Sequence, residues 1–410
     1  WPRVTDGGDR RLVKEYFVDL HVHIGRDSLG RPVKVSGAHD LTFANIAREA
    51  GQRKGIDVIG VVDCASGRVL SDIDRLVQSG AMEEAPGGGM RYNGQTVIIP
   101  GIEIEASCRA GEGPGPGAHY VGYFATLPQV REAARELGRH TTNIDLSTQK
   151  TRLTPEQLAR LVGDMGGLFV VAHAFTPHKS LYGRCARRIT DVFGAEARRQ
   201  VAAVELGLSA DTSMADRIAE LASYTFLSNS DAHSLGRMGR EYNVMRMESP
   251  SFAEVSLALA RIDGRRVVAN YGLDPRLGKY YSSACGVCGA RFHAPDAATH
   301  CPECGASRTV RGVSDRVDEI ADFAEAKSPA HRPPYRHQVP LQFVPGVGQA
   351  RIAALIQAFG SEMAVLHRAT RDQLANVAGQ RIADRIVAAR EGKLAIEAGG
   401  GGTYGRTLSD

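Results

Sequence analysis

Two histidines two residues apart, His21 and His23, end the apolar run Phe17-Val18-Asp19-Leu20. Side chains on a strand repeat their direction every second residue, so both imidazoles face one way, as two ligands of one ion must. A related pattern, Ser230-Asp231-Ala232-His233, follows the run Tyr224 to Leu227 much later in the chain. Between the two, side chains of metal-ligand type fall along further apolar runs: Asp63, Glu103, His119 and His173. These eight residues outnumber what one ion needs, so their convergence implies more than one metal.

The elements that must position them are legible as alternation. Seven strand-like runs, Tyr16 to Leu20, Val58 to Val62, Val97 to Ile104, Tyr120 to Phe124, Leu168 to Ala172, Val201 to Leu206 and Tyr224 to Leu227, are separated by helix-like stretches. Such alternation predicts parallel βα units in a closed or nearly closed barrel, with active groups at the C-terminal ends of the strands. Ala44 to Lys54 and Thr154 to Gly163 read as helices, the second opened by a capping threonine and a proline at its first position. Gly111 to Gly117 reads as a loop, since it lacks the Lys-Ser/Thr of a phosphate cradle. His39 and His178 read as ordinary capping or surface residues.

Composition sets the outer bounds. With 410 residues and 43% hydrophobic content the chain is expected to form two or three domains with real cores. It contains no apolar run long enough for a membrane span and no secretory leader, which predicts a cytoplasmic protein. Seven cysteines, an odd number with four in a metal-like pattern, argue for a reducing compartment and against a disulfide framework. Those four, Cys285, Cys288, Cys301 and Cys304, form two Cys-x-x-Cys knuckles twelve residues apart, a spacing that predicts one structural zinc. His293 and His300 read as bystanders. The net charge of +4 is not evenly spread: from His331 onward there are ten Lys/Arg against six Asp/Glu, and forty against forty before it.

That basic end carries a motif of its own. After Pro333-Pro334-Tyr335, read as a linker, comes Val344-Pro345-Gly346-Val347-Gly348-Gln349-Ala350-Arg351-Ile352. It resembles a helix-hairpin-helix, whose glycines let backbone N–H groups approach a DNA phosphate. Gly346, Gly348 and Arg351 are its candidate DNA contacts. A weaker copy, Val377-Ala378-Gly379-Gln380-Arg381-Ile382, puts Arg381 at the second glycine position. The expected organisation is an N-terminal extension (1–15), a barrel (16–272), a zinc module (273–330), a helical DNA-binding domain (331–398) and a Gly-rich tail (399–410).

Asp19-Leu20-His21-Val22-His23, Gly101-Ile102-Glu103, Ala172-His173 and Ser230-Asp231-Ala232-His233 resemble the PHP (polymerase and histidinol phosphatase) family, a distorted (β/α)7 barrel with a multinuclear phosphoesterase site. The resemblance implies one ion on His21, His23, Glu103 and Asp231, a second on Glu103, His119 and His173, and a third on Asp63 and His233. At that third site the chain departs from the family, with Cys64-Ala65-Ser66 and Arg26-Asp27-Ser28 where further histidines usually stand. His plus carboxylate ligands suit zinc, manganese or iron, and magnesium is a further candidate for the two or three barrel ions. The implied nucleophile is metal-bound hydroxide, with Glu103, Asp231 and His233 as the catalytic residues.

Barrel, four-cysteine module and helix-hairpin-helix in this order, with Gly278-Lys279-Tyr280 and the ending Gly399 to Gly405, resemble the endonuclease Q family. That implies nicking of double-stranded DNA on the 5′ side of uracil, hypoxanthine, xanthine or an abasic site. The alternatives are a PHP-type phosphomonoesterase with accessory domains and a non-catalytic DNA-binding protein. No motif points to a protein partner such as a sliding clamp.

Overall fold

The computed structural model describes residues 13–108, 116–293 and 300–408. Most of the N-terminal extension and residues 111–115 of the glycine-rich loop lie outside them. The barrel strands are β1 (Lys14–Val22), β2 (Val58–Val61), β3 (Met82–Glu84), β4 (Met90–Tyr92), β5 (Val97–Ser107), β6 (Gly117–Tyr123), β7 (Leu168–Val171), β8 (Val201–Glu205), β9 (Phe226–Leu227), β10 (Tyr242–Met247) and β11 (Arg266–Gly272). The outer helices are α1 (Phe43–Arg48), α2 (Gly67–Gln78), α3 (Leu127–Gly138), α4 (Pro155–Asp164), α5 (Ala195–Arg199), α6 (Thr212–Ala215) and α7 (Phe252–Ala260). Thr154 caps α4 with its hydroxyl, and Gln157 returns a bond in a capping box. The stretch read as one helix over Ala44 to Lys54 changes after Arg48 into a π-helical segment, Glu49–Lys54, that buries Lys54.

All seven expected runs are strands, β1, β2 and β5 to β9. The sheet order is β15-β11-β10-β1-β2-β5-β6-β7-β8-β9, where β15 (Tyr335–His337) comes from beyond the barrel, and the β3–β4 hairpin joins β5. The expectation of uniformly parallel units fails at β6, which pairs antiparallel with both β5 and β7. β6 follows β5 in the chain and lies antiparallel beside it.

The curl closes on itself through side chains. Asn229 accepts from the Leu20 N–H at 3.0 Å, and the Asn243 amide donates to the carbonyls of Val18 at 3.2 Å and Ser228 at 3.0 Å. Asn270 donates in turn to Asn243 Oδ1 and to the Phe226 carbonyl. These three buried amides satisfy backbone groups that the β1–β9 seam would otherwise leave unpaired in the interior. Val18, Leu20, Val58, Val121, Val170, Ala203 and Leu227 form one core cluster with Phe252, Val255 and Leu259 of α7. At the other end of β1 the chain passes into the histidine pair.

The four-cysteine module has a three-stranded sheet of β12 (Ser283–Cys285), β13 (Arg291–Phe292) and β14 (Thr309–Val310), followed by α8 (Val313–Ile320). Four helices follow: α9 (Gln349–Phe359), α10 (Glu362–His367), α11 (Arg371–Ala378) and α12 (Gln380–Arg390). The stretch read as a linker is pinned. Arg332 forms a buried ion pair with Asp216 at 2.9 Å, and β15 extends the barrel sheet alongside β11. The tail returns to the four-cysteine module, with the Ser282 N–H donating to the Gly399 carbonyl. Cys108 and Cys185 are joined as a disulfide, which the cysteine count did not foresee. They are 77 residues apart in sequence, and only the fold brings their Cα atoms within 5.6 Å.

Candidate active site

His21 and His23 leave β1 where its register against β2 shifts between Asp19 and Val22. Both rings are buried, and each has its Nδ1 fixed by a carboxylate behind it. His21 Nδ1 lies 2.9 Å from Glu205 Oε2, and His23 Nδ1 lies 3.1 Å from Asp63 Oδ2. Such carboxylate–imidazole pairs set the tautomer that frees Nε2 for a metal. His21 Nε2 is a buried nitrogen without a hydrogen-bond partner, and it sits 3.4 Å from Glu103 Oε1 and 3.8 Å from Asp231 Oδ1. His23 Nε2 is 3.4 Å from Asp231 Oδ1 and 3.5 Å from Glu103 Oε2.

A second group meets the other oxygen-donor edge of the site. Glu103 Oε1 lies 3.0 Å from His119 Nδ1 and 3.3 Å from His173 Nε2, and the two histidine nitrogens are 3.2 Å apart. His119 reaches this rim because β6 is antiparallel: its N-terminal half lies beside the C-terminal ends of its neighbours. His173 (φ +25°) and Asp231 (φ +44°) both hold left-handed backbone just past their strands. Such conformations cost of order 1–3 kcal/mol in a non-glycine residue and persist where the surroundings over-determine them.

Two donor groups thus share one mouth, His21/His23/Asp231 and Glu103/His119/His173, with the atoms of each within 4.8 Å of one another. An unpartnered buried imidazole nitrogen and carboxylates crowded against imidazoles fit divalent ions and would be costly without them. Although burial opposes ionisation of Glu103, the charges of His119, Lys34 and His23 hold its carboxyl well below the ordinary range. Against the same opposition, the His23 hydrogen bond and the charge of His21 do so for Asp231. Burial first, and then His23, lower His233 to about 4, so its ring is neutral at pH 7.

The expected third pair is arranged differently. Asp63 is turned to His23 and to the Ile24 N–H, 2.7 Å away, the place of a group that orients a ligand. His233 stands on the cavity wall with Nδ1 3.0 Å from the Asp231 carbonyl. Cys64 is buried with its thiol on the Val61 carbonyl, and burial pushes its pKa up. Among the described residues no group of three donors gathers Asp63, Cys64 or His233.

Several site residues escaped the sequence reading. Glu205 lies in the sixth apolar run, where a lone carboxylate at a strand end was a visible signal. Lys34 extends its ammonium to 3.4 Å from Glu103 Oε2 and 2.5 Å from Thr148 Oγ1, and the Thr148 hydroxyl also bonds Glu103. A cavity of about 390 Å³ opens over the donors, walled by Lys34, Arg237, Arg240, Lys279, Tyr280 and Tyr404 among others. Tyr404 comes from the tail, with Arg240 Nη1 3.1 Å from its hydroxyl and both Arg237 and Lys279 within 6 Å of its ring. His178, read as ordinary, is also on this wall with its ring against Tyr280. His39 bonds Arg26 away from the donors.

Away from the mouth, Cys285, Cys288, Cys301 and Cys304 bring four sulfurs together, with Cys285 to Cys304 and Cys288 to Cys301 both at 3.6 Å. The Val287 N–H points at Cys285 Sγ from 3.3 Å, as in a knuckle around a thiolate. His293 turns to Asp315 of α8. In the helical region Gly346 has φ +84° and Gly348 caps α9. The Arg351 guanidinium folds back onto the Gly346 carbonyl.

No family model matches the chain. Over 395 residues it is 47% identical to the uncharacterised protein YqxK of Bacillus subtilis, covering 96% of this chain and 99% of that one. Among solved structures it is similar to the lesion-specific endonuclease Q of Pyrococcus furiosus, with TM-score 0.82 and 32% identity over 96% of this chain and 95% of that chain. It is equally similar to an endonuclease Q in complex with a 27-mer duplex carrying an abasic lesion at the active site. There the TM-score is 0.81 and the identity 33%, with 97% of each chain covered.

Proposed function

Because this chain belongs to the endonuclease Q family, we propose that it is a metal-dependent DNA repair endonuclease that nicks duplex DNA on the 5′ side of deaminated bases and abasic sites. The observation that carries this reading is the pair of donor groups joined through Glu103 beneath a cavity walled by cations and rings. His21, His23, Glu103 and Asp231 would hold one divalent ion, and Glu103, His119 and His173 a second. Bound there, such ions lower the pKa of a water and neutralise charge on a phosphate during in-line displacement.

The protein's own groups do the rest. Glu205 and Asp63 hold the His21 and His23 rings in the ligating orientation. Arg237, Arg240 and Lys279 offer positive charge to the backbone entering the cavity. The rings of Tyr280 and Tyr404 offer apolar faces at the same mouth. To read the Watson–Crick edge of the altered base, which pairing conceals, the enzyme would turn the base out of the stack. A damaged or mismatched base costs less of the few kcal/mol this needs. Backbone N–H groups beside Gly346 and Gly348, with Arg351, would hold flanking phosphates without regard to sequence.

The test uses end-labelled duplexes identical except for C, U, A, hypoxanthine, xanthine or an abasic site at one position, incubated with magnesium, manganese or zinc. Cuts 5′ of the altered position, leaving 3′-hydroxyl and 5′-phosphate ends, are expected. Equal cutting of undamaged strands, or cuts only on the 3′ side, would refute the reading.

A further inference from the structure

One cation of the cavity wall, Lys34, lies directly against the donors. Lys34 lies on the loop after β1, which folds over the barrel mouth through backbone bonds from Lys34 to Ile24 at 2.9 Å and from Val33 to Gly25 at 3.0 Å. The Ser147 N–H donates to the Val33 carbonyl at 2.9 Å and ties the loop to the Ser147–Thr148 turn. Thr148, itself at φ +54°, presents its hydroxyl to both the Lys34 ammonium and Glu103. The side chain of Lys34 is only 15% exposed, and what remains open is wall of the cavity, between His23, Glu103 and His233.

Burying an ammonium is expensive unless something nearby needs it. Glu103 does not need it alone, since His119, His173, His21 and His23 already crowd its two oxygens. Two divalent ions would only balance the carboxylates Asp63, Glu103, Glu205 and Asp231. An approaching phosphodiester would then meet a donor set without net charge, and Lys34 is the wall cation whose ammonium lies against Glu103, whereas Arg237, Arg240 and Lys279 gather at Tyr404. Among the described residues, the place where a third ion would add charge has no group of three donors to hold one: Asp63 is occupied with His23, and Cys64 with Val61.

We propose that the Lys34 ammonium does the work of a third cation, donating a hydrogen bond to the scissile phosphate and stabilising the negative charge that grows on it as the P–O bond breaks. This rests on the phosphodiesterase reading of the barrel mouth. A preorganised donor at such a position acts in a water-poor site without reorganisation.

The test uses the full chain with its metals as wild type, Lys34→Met and Lys34→Arg. Mass spectrometric metal analysis is expected to count, in all three, two barrel ions besides one zinc on the cysteines. On a duplex with one abasic site, kcat for Lys34→Met should fall about 100-fold or more, the scale of losing one such donor, with KM within about threefold. Lys34→Arg, which keeps the charge, should recover most of the loss. Bis(4-nitrophenyl) phosphate is run in parallel as a diester without a base. If the wild type cleaves it but not the damaged duplex, the endonuclease reading fails while the Lys34→Met ratio on the diester still decides the role of Lys34. Three barrel ions in the wild type, loss of a barrel ion in Lys34→Met, or a kcat within about threefold of wild type would each overturn the proposal. Should Lys34→Met not fold, the wild-type ion count and the kcat of Lys34→Arg still decide it, an Arg variant as inactive as one without metals counting against.

Discussion

Acid should loosen the helical region from the barrel through one imidazole. His367, the last residue of α10, inserts its ring among barrel side chains, with ring centroids 4.7 Å from Phe17, 4.9 Å from Tyr271 and 5.8 Å from Tyr242. Its Nε2 is 2.6 Å from the Tyr242 hydroxyl. Burial first, and then the charges of Arg390 and Arg368, lower its pKa to about 4. An unfolded histidine titrates near 6.5. The folded state therefore favours the neutral ring, and the stability this confers is complete above about pH 6.5 and is lost as pH falls from there toward 4. Between pH 7.5 and 4.5 the linkage amounts to roughly 2–3 kcal/mol, from about 1.4 kcal/mol per pK unit. Denaturant unfolding followed by far-UV circular dichroism at both pH values, on wild type and His367→Gln, measures it. Other groups titrate equally in both proteins, so the difference in pH slope isolates His367. The variant should be less stable at pH 7.5, having lost ring packing, but should lose roughly 2–3 kcal/mol less on acidification. Equal slopes would sink the argument.

Further outcomes follow from the site and the module. Asp231→Ala or Glu103→Ala should abolish nicking while leaving duplex affinity within a few-fold, since each removes a metal ligand and not a phosphate-binding surface; cleavage and gel-shift assays read the two separately. Glu205→Gln should weaken barrel metal binding about 10–100-fold without touching the ions itself, because it frees the His21 ring to reorient; competition with a chelator measures this. Cys301→Ser should remove one zinc per chain and lower the melting temperature while the barrel ions stay, and an unchanged melt would show that the four cysteines do not brace the module.

What could be read from the sequence followed from apolar runs alternating with helix-like stretches. Each of the seven apolar runs is a strand, and the ligand-type residues at their ends meet at one mouth because strand direction carries side chains to a common rim. Reversal of β6 was not legible, since a strand looks the same in either direction; His119 still reached the rim because it stands at the start of β6, not its end. The strands β10, β11 and β15 escaped notice for another reason. Tyr242, Asn243, Asn270, Tyr335 and His337 are polar-edged residues inside them. The Asn243 and Asn270 amides are spent on the β1–β9 seam and on each other, Tyr242 bonds Gln338, Tyr335 the Leu273 carbonyl and His337 Asp211, so the apolar signature of a buried strand is missing there.

Three residues of the site are held against their own backbone preference. His173, Asp231 and Thr148 all carry positive φ although none is glycine, and all three converge on Glu103 or its neighbours. A chain left to itself would relax them, so contacts from elsewhere must hold each one. The Glu205 carboxylate receives the His173 N–H at 3.1 Å, Arg240 clasps the carbonyls of Ser230 and Asp231, and Asp19 receives the N–H groups of Ser230 and Gly239 at 3.0 Å. Arg240 in turn meets Tyr404 from the far end of the chain. Local propensity fails here because the geometry is set by partners as far as 220 residues away in the chain, and such conflicts between local and global demands concentrate where a protein does chemistry.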